Sequence, residues 1–148
     1  MKTLSLTAAL ALMAAPAFAE APTGDVASGE AQFSRQCVAC HVVRDADGNT
    51  LAGRNGRAGP NLYGISGQLV AQQDGFRYGK SLQEAAEAGV TWTEANFAAY
   101  VQDPTKWLRA TLDDTRARSK MAYRVRQEAD ALDIFAYIDS LAPAAATE

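Results

Sequence analysis

The chain has 148 residues, of which 48% are hydrophobic and 21% charged, and its formal net charge is -3 at pH 7. Without residues 1–19, whose only charged side chain is Lys2, 13 basic and 17 acidic side chains remain, a net charge of -4. This acidic balance predicts no nucleic-acid partner, because nucleic-acid-binding domains are usually basic. Residues 20–148 have the length of one domain with a modest core, and we expect a monomer.

The first 19 residues are typical of a cleaved secretory signal peptide. Lys2 gives a positive start, residues 4–18 form an apolar run, and Ala17-Phe18-Ala19 matches the small-x-small cleavage pattern. The apolar run is shorter than the roughly 20 residues of a membrane-spanning helix. We therefore predict cleavage after Ala19 and a periplasmic location, with an uncleaved anchor as the alternative.

Helical periodicity and capping residues predict four helices, over residues 25–37, 81–89, 91 or 93 to 104, and 127–141. Asp25 is the expected N-cap of the first helix, and Ser81-Leu82-Gln83-Glu84 has the pattern of a capping box for the second. Gly89 and Pro104 are placed to end the second and third helices.

Glycine-rich loops fill the space between these helices, above all residues 44–67. Asp47-Gly48 could turn a small hairpin, and no other strand pattern is convincing. Residues 143–148 have the composition of a frayed tail. Short helices and glycine-rich loops would make a poor core by themselves. They favour an all-α fold of four to five short helices wrapped around something large, flat and apolar.

The segment Cys37-Val38-Ala39-Cys40-His41 has the C-x-x-C-H spacing of covalent haem attachment. If it forms one helical turn, residues three and four apart share a face. Cys37 and Cys40 can then each form a thioether to a haem vinyl group, while the ring of His41 reaches the iron on the same side.

The mature chain contains one histidine, one methionine (Met121) and two cysteines. A zinc site needs about four ligands, commonly Cys and His, and only three such residues exist here. A redox-active dithiol and a structural disulfide are further alternatives in an exported protein. With haem, the second axial ligand could be Met, Lys, Tyr, water or an amino terminus. A His/Met pair would favour ferrous iron and leave no open position for oxygen chemistry.

Several ordered motifs between residues 24 and 141 resemble class I c-type cytochromes, within them the soluble bacterial cytochrome c2 and c-550 type. The matching segments are Gly24 to Phe33, Cys37 to His41, Gly59-Pro60-Asn61-Leu62-Tyr63-Gly64, Gly75-Phe76-Arg77-Tyr78, Thr91-Trp92-Thr93-Glu94 and the surroundings of Met121. The resemblance implies one covalently bound haem c, with Met121 as the sixth iron ligand. It also implies that Gly29 and Phe33 pack against Tyr137 of the last helix.

The resemblance assigns further residues to the surroundings of the haem. The Pro60 carbonyl would accept the second N–H of His41, and Tyr78 and Trp92 would donate hydrogen bonds to the haem propionates. Tyr100 falls near the methionine sulfur, and Ser119 belongs to the same surroundings. Where many relatives carry an arginine near a propionate, this chain has Gln68.

Basic residues cluster around Met121, although the chain is acidic. The seven are Lys106, Arg109, Arg116, Arg118, Lys120, Arg124 and Arg126. With Asp113 and Asp114 this segment has a net charge of +5, against -9 for the rest of the mature chain. Such a run is often only a solvated face. Beside a haem edge it would steer the protein onto an acidic docking patch.

The sequence therefore predicts a soluble one-electron carrier that cycles between Fe(III) and Fe(II). The resemblance implies membrane complexes as partners, a bc1-type donor and an oxidase or photosynthetic reaction centre as acceptor. The alternatives are a haem enzyme or gas-binding cytochrome with a labile sixth position, and a disulfide protein without haem.

Overall fold

The computed structural model describes residues 21–142, so the predicted signal peptide and the tail at 143–148 lie outside the described residues. The elements, in chain order, are α1 (Val26–Gln36), β1 (Val42–Arg44), β2 (Thr50–Gly53), α2 (Lys80–Glu87), α3 (Glu94–Gln102), α4 (Pro104–Leu112) and α5 (Glu128–Ser140). None of the helices in this part of the chain is long and apolar enough to cross a membrane.

Helix α1 begins and ends where the sequence predicts. The Asp25 carboxylate accepts the backbone N–H of Ser28 at 2.7 Å and so satisfies one of the free donors of the first turn. This hydrogen bond lowers the pKa of Asp25. The helix buries Gly29 and Phe33 on one face.

The buried face of α1 packs against α5, so the first and last helices of the described chain form one interface. A Cβ at Gly29 would collide with the backbone of Asp133, and only glycine allows this approach. One turn later, the rings of Phe33 and Tyr137 lie 5.7 Å apart, as the resemblance implies. Ile134 and Ile138 of α5 are almost fully buried beside them.

The small hairpin is formed by β1 and β2, which pair antiparallel with Val42 opposite Gly53 and Val43 opposite Ala52. The turn lies at the predicted Asp47-Gly48, where Gly48 has a φ of 89°. Val43 is fully buried and anchors the hairpin to the core. The hairpin is the only sheet among residues 21–142.

The predicted capping box at Ser81 is wrong. Helix α2 starts one residue earlier, with Gly79 at the N-cap and no side-chain cap. Ser81 is buried, and its Oγ accepts the backbone N–H of Arg118 at 3.2 Å. The Ser81 hydroxyl therefore makes a tertiary hydrogen bond with Arg118 instead of capping α2. The predicted end is correct, since Gly89 follows α2 with a φ of 80°.

Pro104 both ends one helix and begins another. Helix α3 has Thr93 as its N-cap and ends at Gln102, as predicted. Helix α4 is not among the helices predicted from the sequence; Asp103 is its N-cap and Pro104 occupies its first turn. Proline is well suited to that position because the first-turn N–H has no helical partner.

Residues 113–127, between α4 and α5, contain neither helix nor strand, and they carry Met121. We call this segment the methionine loop. It begins with Asp113 in the left-handed conformation, at a φ of 49°. Ala117 and Val125 are buried and fix its two ends to the core, where the N–H of Val125 donates to Val101 O at 2.9 Å.

Candidate functional site

A cavity of about 800 Å³ lies between the segment after α1, the loops that follow β2, and the methionine loop. Its volume falls in the range of roughly 300–1,000 Å³ that small-molecule and cofactor sites occupy. Every site residue predicted from the sequence lines this cavity: Cys37, Cys40, His41, Pro60, Tyr78, Trp92, Tyr100, Ser119 and Met121, together with Gln68. Residues far apart in the sequence are therefore brought to one place.

The Cys37-to-His41 motif continues from α1 as a single turn. The N–H of Cys37 donates to Phe33 O at 2.9 Å, and the N–H of His41 donates to Cys37 O at 2.9 Å. This is the helical spacing that the motif predicts. Cys37 is half-buried, Cys40 is exposed, and both are free thiols. Burial, and secondarily the charge of Cys40, raise the pKa of the Cys37 thiol to about 12.

The ring of His41 is held by two consecutive residues of the following loop. Its Nδ1 lies 3.0 Å from the Pro60 carbonyl oxygen. A Cβ on Gly59 would collide with the ring itself, so a glycine is required beside it. The N–H of Gly59 donates to Cys40 O at 2.8 Å, which joins the loop to the motif by a backbone hydrogen bond.

The hydrogen bond to Pro60 determines which nitrogen of His41 carries the proton. A carbonyl oxygen can only accept, so Nδ1 must donate. Burial lowers the pKa of His41, although the Pro60 carbonyl partly opposes that shift. The ring is therefore neutral at pH 7, and its Nε2 keeps a free lone pair. This is the form of histidine that ligates a metal.

Met121 is positioned by side chains from several elements. Its backbone N–H donates to Ser119 Oγ at 3.0 Å, and that oxygen shares a second hydrogen bond of 3.0 Å with the hydroxyl of Tyr100. On the same side, Lys120 Nζ donates to the carbonyl oxygen of Arg77 at 2.7 Å. Burial raises the pKa of Tyr100, which keeps its hydroxyl protonated.

Aromatic side chains form a continuous wall of the cavity. Trp92 and Tyr100 are in edge contact, with their ring centroids 5.1 Å apart. Trp107 of α4 stacks behind Trp92 at 6.0 Å and 20°. Tyr78 stands apart from them, and its hydroxyl accepts the N–H of Gln73 at 3.2 Å. The part played by Trp107 was missed because α4 was missed.

Positive charge lies at the margin of the cavity. Arg118 and Lys120 of the predicted basic segment line it and are exposed. Arg35, on the last turn of α1, is also exposed and lines it. Arg35 is not among the predicted site residues, since it lies outside the basic segment. Its position two residues before Cys37 was the available signal.

The residues present fit a covalently held macrocycle. The cavity surface is largely apolar, the two thiols lie on one turn, and a neutral imidazole and a thioether both face it. Neutral nitrogen and sulfur donors are the usual axial ligands of electron-transfer haem. Within residues 21–142, no group of three or more His, Cys, Asp or Glu side chains comes together as a metal site.

The known proteins that resemble this chain include cytochromes c2 and c-550. No protein-family model matches the chain. Cytochrome c2 of Rhodovulum adriaticum is 51% identical over 119 residues, which cover 80% of this chain and 94% of that protein. Cytochrome c-550 of Paracoccus denitrificans is 39% identical over 136 residues, 90% of this chain and 86% of that protein. The crystal structure of cytochrome c2 from Rhodobacter sphaeroides has a TM-score of 0.77 and 43% identity, over 79% of this chain and 95% of that chain.

Fold and relatives together define a class I cytochrome c, and the predicted fold of four to five short helices with glycine-rich loops is confirmed. The chain belongs to the cytochrome c2 and c-550 family. Its cofactor is one covalently bound haem c, and it is an electron-transfer protein rather than an enzyme. The zinc, dithiol, disulfide and haem-enzyme alternatives are therefore set aside.

Proposed function

We propose that this chain is a diffusible periplasmic one-electron carrier in which Cys37 and Cys40 hold the haem, and His41 and Met121 ligate its iron. The bound haem supplies the Fe(III)/Fe(II) couple. The observation that carries the proposal is the joint position of these four residues on one largely apolar cavity.

The contacts of His41 support its role as the fixed ligand. Pro60 and Gly59 confine the ring to one orientation and one tautomer, with Nε2 free to bind metal. A hydrogen bond on the far nitrogen also raises the basicity of a ligating histidine. Little rearrangement is therefore needed at His41 when the iron changes its charge.

Met121 suits the sixth position for chemical and positional reasons. A thioether is neutral and soft, so it stabilises ferrous iron and raises the reduction potential. Ser119 and Tyr100 hold the backbone of Met121 in place from the protein side of the cavity. Filling both axial positions favours electron transfer over oxygen chemistry.

The visible spectrum of the oxidised holoprotein tests this ligation. We expect a weak far-red Met–iron band that is absent from Met121→Ala and present in the neighbouring control Ala122→Ser. We also expect CO and cyanide to bind Met121→Ala much faster than the wild type. A wild-type protein without the band, or one as open to CO as Met121→Ala, would refute His/Met ligation.

The basic residues around Met121 support docking onto acidic surfaces of membrane complexes. Lys106, Arg116, Arg118, Lys120, Arg124 and Arg126 are exposed, whereas Arg109 is half-buried and bonds to Ala117 O. The ion pairs of Arg116 with Asp114 and of Arg124 with Asp103 are exposed and therefore weak. These cations remain available to steer encounter with a bc1-type donor and with an oxidase or reaction-centre acceptor.

Charge reversal tests the docking surface. Arg116→Glu should slow electron transfer with such a complex at low salt and flatten its dependence on ionic strength. Arg57→Glu, an exposed reversal outside the basic segment, is the matched control. Equal salt dependence in wild type and Arg116→Glu would contradict docking through this face.

Export rests on the signal predicted in residues 1–19. Mass spectrometry of the mature protein should place its amino terminus at Glu20, and cell fractionation should recover it with the periplasm. Gel filtration should give the size of a monomer. Retention of residues 1–19 in a membrane fraction would instead favour the anchored form.

A further inference from the structure

A chain of side-chain hydrogen bonds connects the methionine loop to α1 and α5. Tyr123 Oη donates to Gln36 Oε1 at 3.1 Å, and Gln36 Nε2 donates to Gln32 Oε1 at 2.8 Å. Gln32 Nε2 then donates to Asp130 Oδ1 at 2.8 Å, and Gln36 Nε2 also lies 3.5 Å from Asp130 Oδ2. We call these four residues the strap.

The side chains of the strap can form a hydrogen-bond chain in which every donor points toward Asp130. Gln32 and Gln36 are one turn apart on α1, so their amides meet on the same face. Each amide accepts with its oxygen and donates with its nitrogen, whereas the carboxylate at the end only accepts. Hydrogen bonds that run from a neutral donor to a carboxylate polarise and strengthen one another.

The strap closes one margin of the cavity. Gln36 and Tyr123 both line it, so their hydrogen bond joins the residue before Cys37 to the residue two after Met121. Tyr123 is 49% exposed, which places this contact at the solvent edge. The phenol therefore lies at the exposed margin of the cavity, two residues from Met121.

The two sides of Met121 are held differently. Before it, Ser119 and Lys120 make hydrogen bonds to Tyr100 and to the carbonyl of Arg77. After it, Tyr123 is the first residue whose side chain ties the loop to a helix. Loss of that bond leaves the segment from Met121 to the backbone anchor at Val125 held by one further side-chain contact, the largely exposed ion pair of Arg124 with Asp103.

We propose that the strap is a positioning device that keeps the methionine loop closed over the haem and sets the rate at which Met121 can be displaced. Tyr123 and Gln36 act through the loop and not on the iron. The inference rests on the proposed His/Met ligation, and it assigns the control of ligand exchange to residues outside the ligand set.

Imidazole binding to the ferric holoprotein tests the strap. The probe replaces the methionine, so its binding is followed by the loss of the far-red Met–iron band. Tyr123→Phe removes one hydroxyl and keeps the ring. We expect it to raise the rate of displacement about three- to tenfold, the effect of one hydrogen bond. Tyr137→Phe, which removes a phenol hydroxyl from the α1–α5 interface without touching the strap, should exchange at the wild-type rate.

A double-mutant cycle isolates the contribution of the Tyr123–Gln36 hydrogen bond to the exchange rate. Gln36→Leu should speed exchange to a similar degree, and Tyr123→Phe in that background should add little. Exchange in Tyr123→Phe at the rates of wild type and Tyr137→Phe, with the band intact, would overturn the strap and leave His/Met ligation standing. A wild-type spectrum without any Met121-dependent band would overturn both.

Discussion

The two walls of the cavity, one carrying His41 and the other Met121, are built in contrasting ways. His41 sits on a continuous turn after α1, and its clamp at Pro60 is 19 residues away in the sequence. Met121 sits in a loop without helix or strand, and its neighbours Ser119, Lys120 and Tyr123 bond to partners 19, 43 and 87 residues away. The first wall rests mainly on backbone hydrogen bonds, whereas the second is held mainly by the side chains of the loop.

The contrast teaches where rigidity and mobility reside in this carrier. Backbone hydrogen bonds and a close glycine contact leave the histidine almost no alternative position. The methionine loop depends on a few partly exposed hydrogen bonds, each contributing about 0.5–1.5 kcal/mol. Local opening should therefore occur on the methionine side first.

Removal of both thiols should have the largest effect on the wall that carries His41, which we call the histidine wall; the wall that carries Met121 is the methionine wall. A Cys37→Ser/Cys40→Ser variant should contain no covalent haem, because no other cysteine exists in the chain. Intact mass under denaturing conditions measures this directly. Met121→Ala, on the opposite wall, should retain the full mass of protein plus haem. A haem adduct on the double variant would contradict the assignment.

A methyl group at Gly59 should disturb the histidine wall without touching the thiols. Gly59→Ala places a Cβ against the ring of His41, and overpacking of this kind costs about 1–3 kcal/mol. We expect a lower urea midpoint and a shifted reduction potential. Gly48→Ala, which has open space around it but a φ of 89°, should cost about 1 kcal/mol and leave the potential unchanged. Equal potentials in both variants would argue against a ring contact.

On the methionine wall, loss of one hydroxyl should have a smaller effect. Tyr100→Phe removes the hydrogen bond to Ser119, and we expect about 1 kcal/mol lower unfolding free energy. Ser119→Ala should cost a similar amount or slightly more, because it also loses the acceptor of the Met121 N–H. Denaturant titration of both single variants and the double variant measures their coupling. Fully additive losses would mean that the two hydroxyls act separately.

The smallest effect should come from Asp25, which lies on neither wall. Its pKa is lowered in the folded protein by the N-cap hydrogen bonds, so its contribution is present above the ordinary pKa of an aspartate. That contribution is lost as the pH falls through the lowered pKa. Asp25→Ala should therefore be slightly less stable than wild type at pH 7 and equal to it in strong acid.

Asp25→Asn serves as the control for this measurement. Asparagine is as good an N-cap as aspartate but does not titrate. Thermal unfolding at several pH values should show its helix cap retained and its pH dependence flattened. A pH dependence identical to that of wild type would assign the effect to another carboxylate.

Much of the histidine wall could be predicted from the sequence, because its signals are local. The C-x-x-C-H spacing acts within one helical turn. Outside this wall, the Asp25 cap and the Asp47-Gly48 turn could be predicted for the same reason, since each acts within a few residues. Ser81 shows the limit, since its capping pattern was overruled by a hydrogen bond to Arg118, 37 residues away.

The contacts of the methionine wall could be predicted only in part. Resemblance to known cytochromes placed Met121 and Tyr100 near each other. Nothing in the sequence connects Tyr123 with Gln36, because side-chain pairing across 87 residues leaves no periodic signal. Helix α4 is not predicted for a different reason: Pro104 signals the end of α3, although it also occupies the first turn of α4.

The α1–α5 interface has a consequence for the order of events during biosynthesis. The chain is made from its amino terminus, and about 100 residues separate α1 from the end of α5. Helix α1 therefore cannot complete its packing until α5 has become available. Before then, Gly29 and Phe33 lack the partners against which they are buried in the folded protein. The segment with Cys37 and Cys40 directly follows α1, so its attachment to the core depends on the last helix.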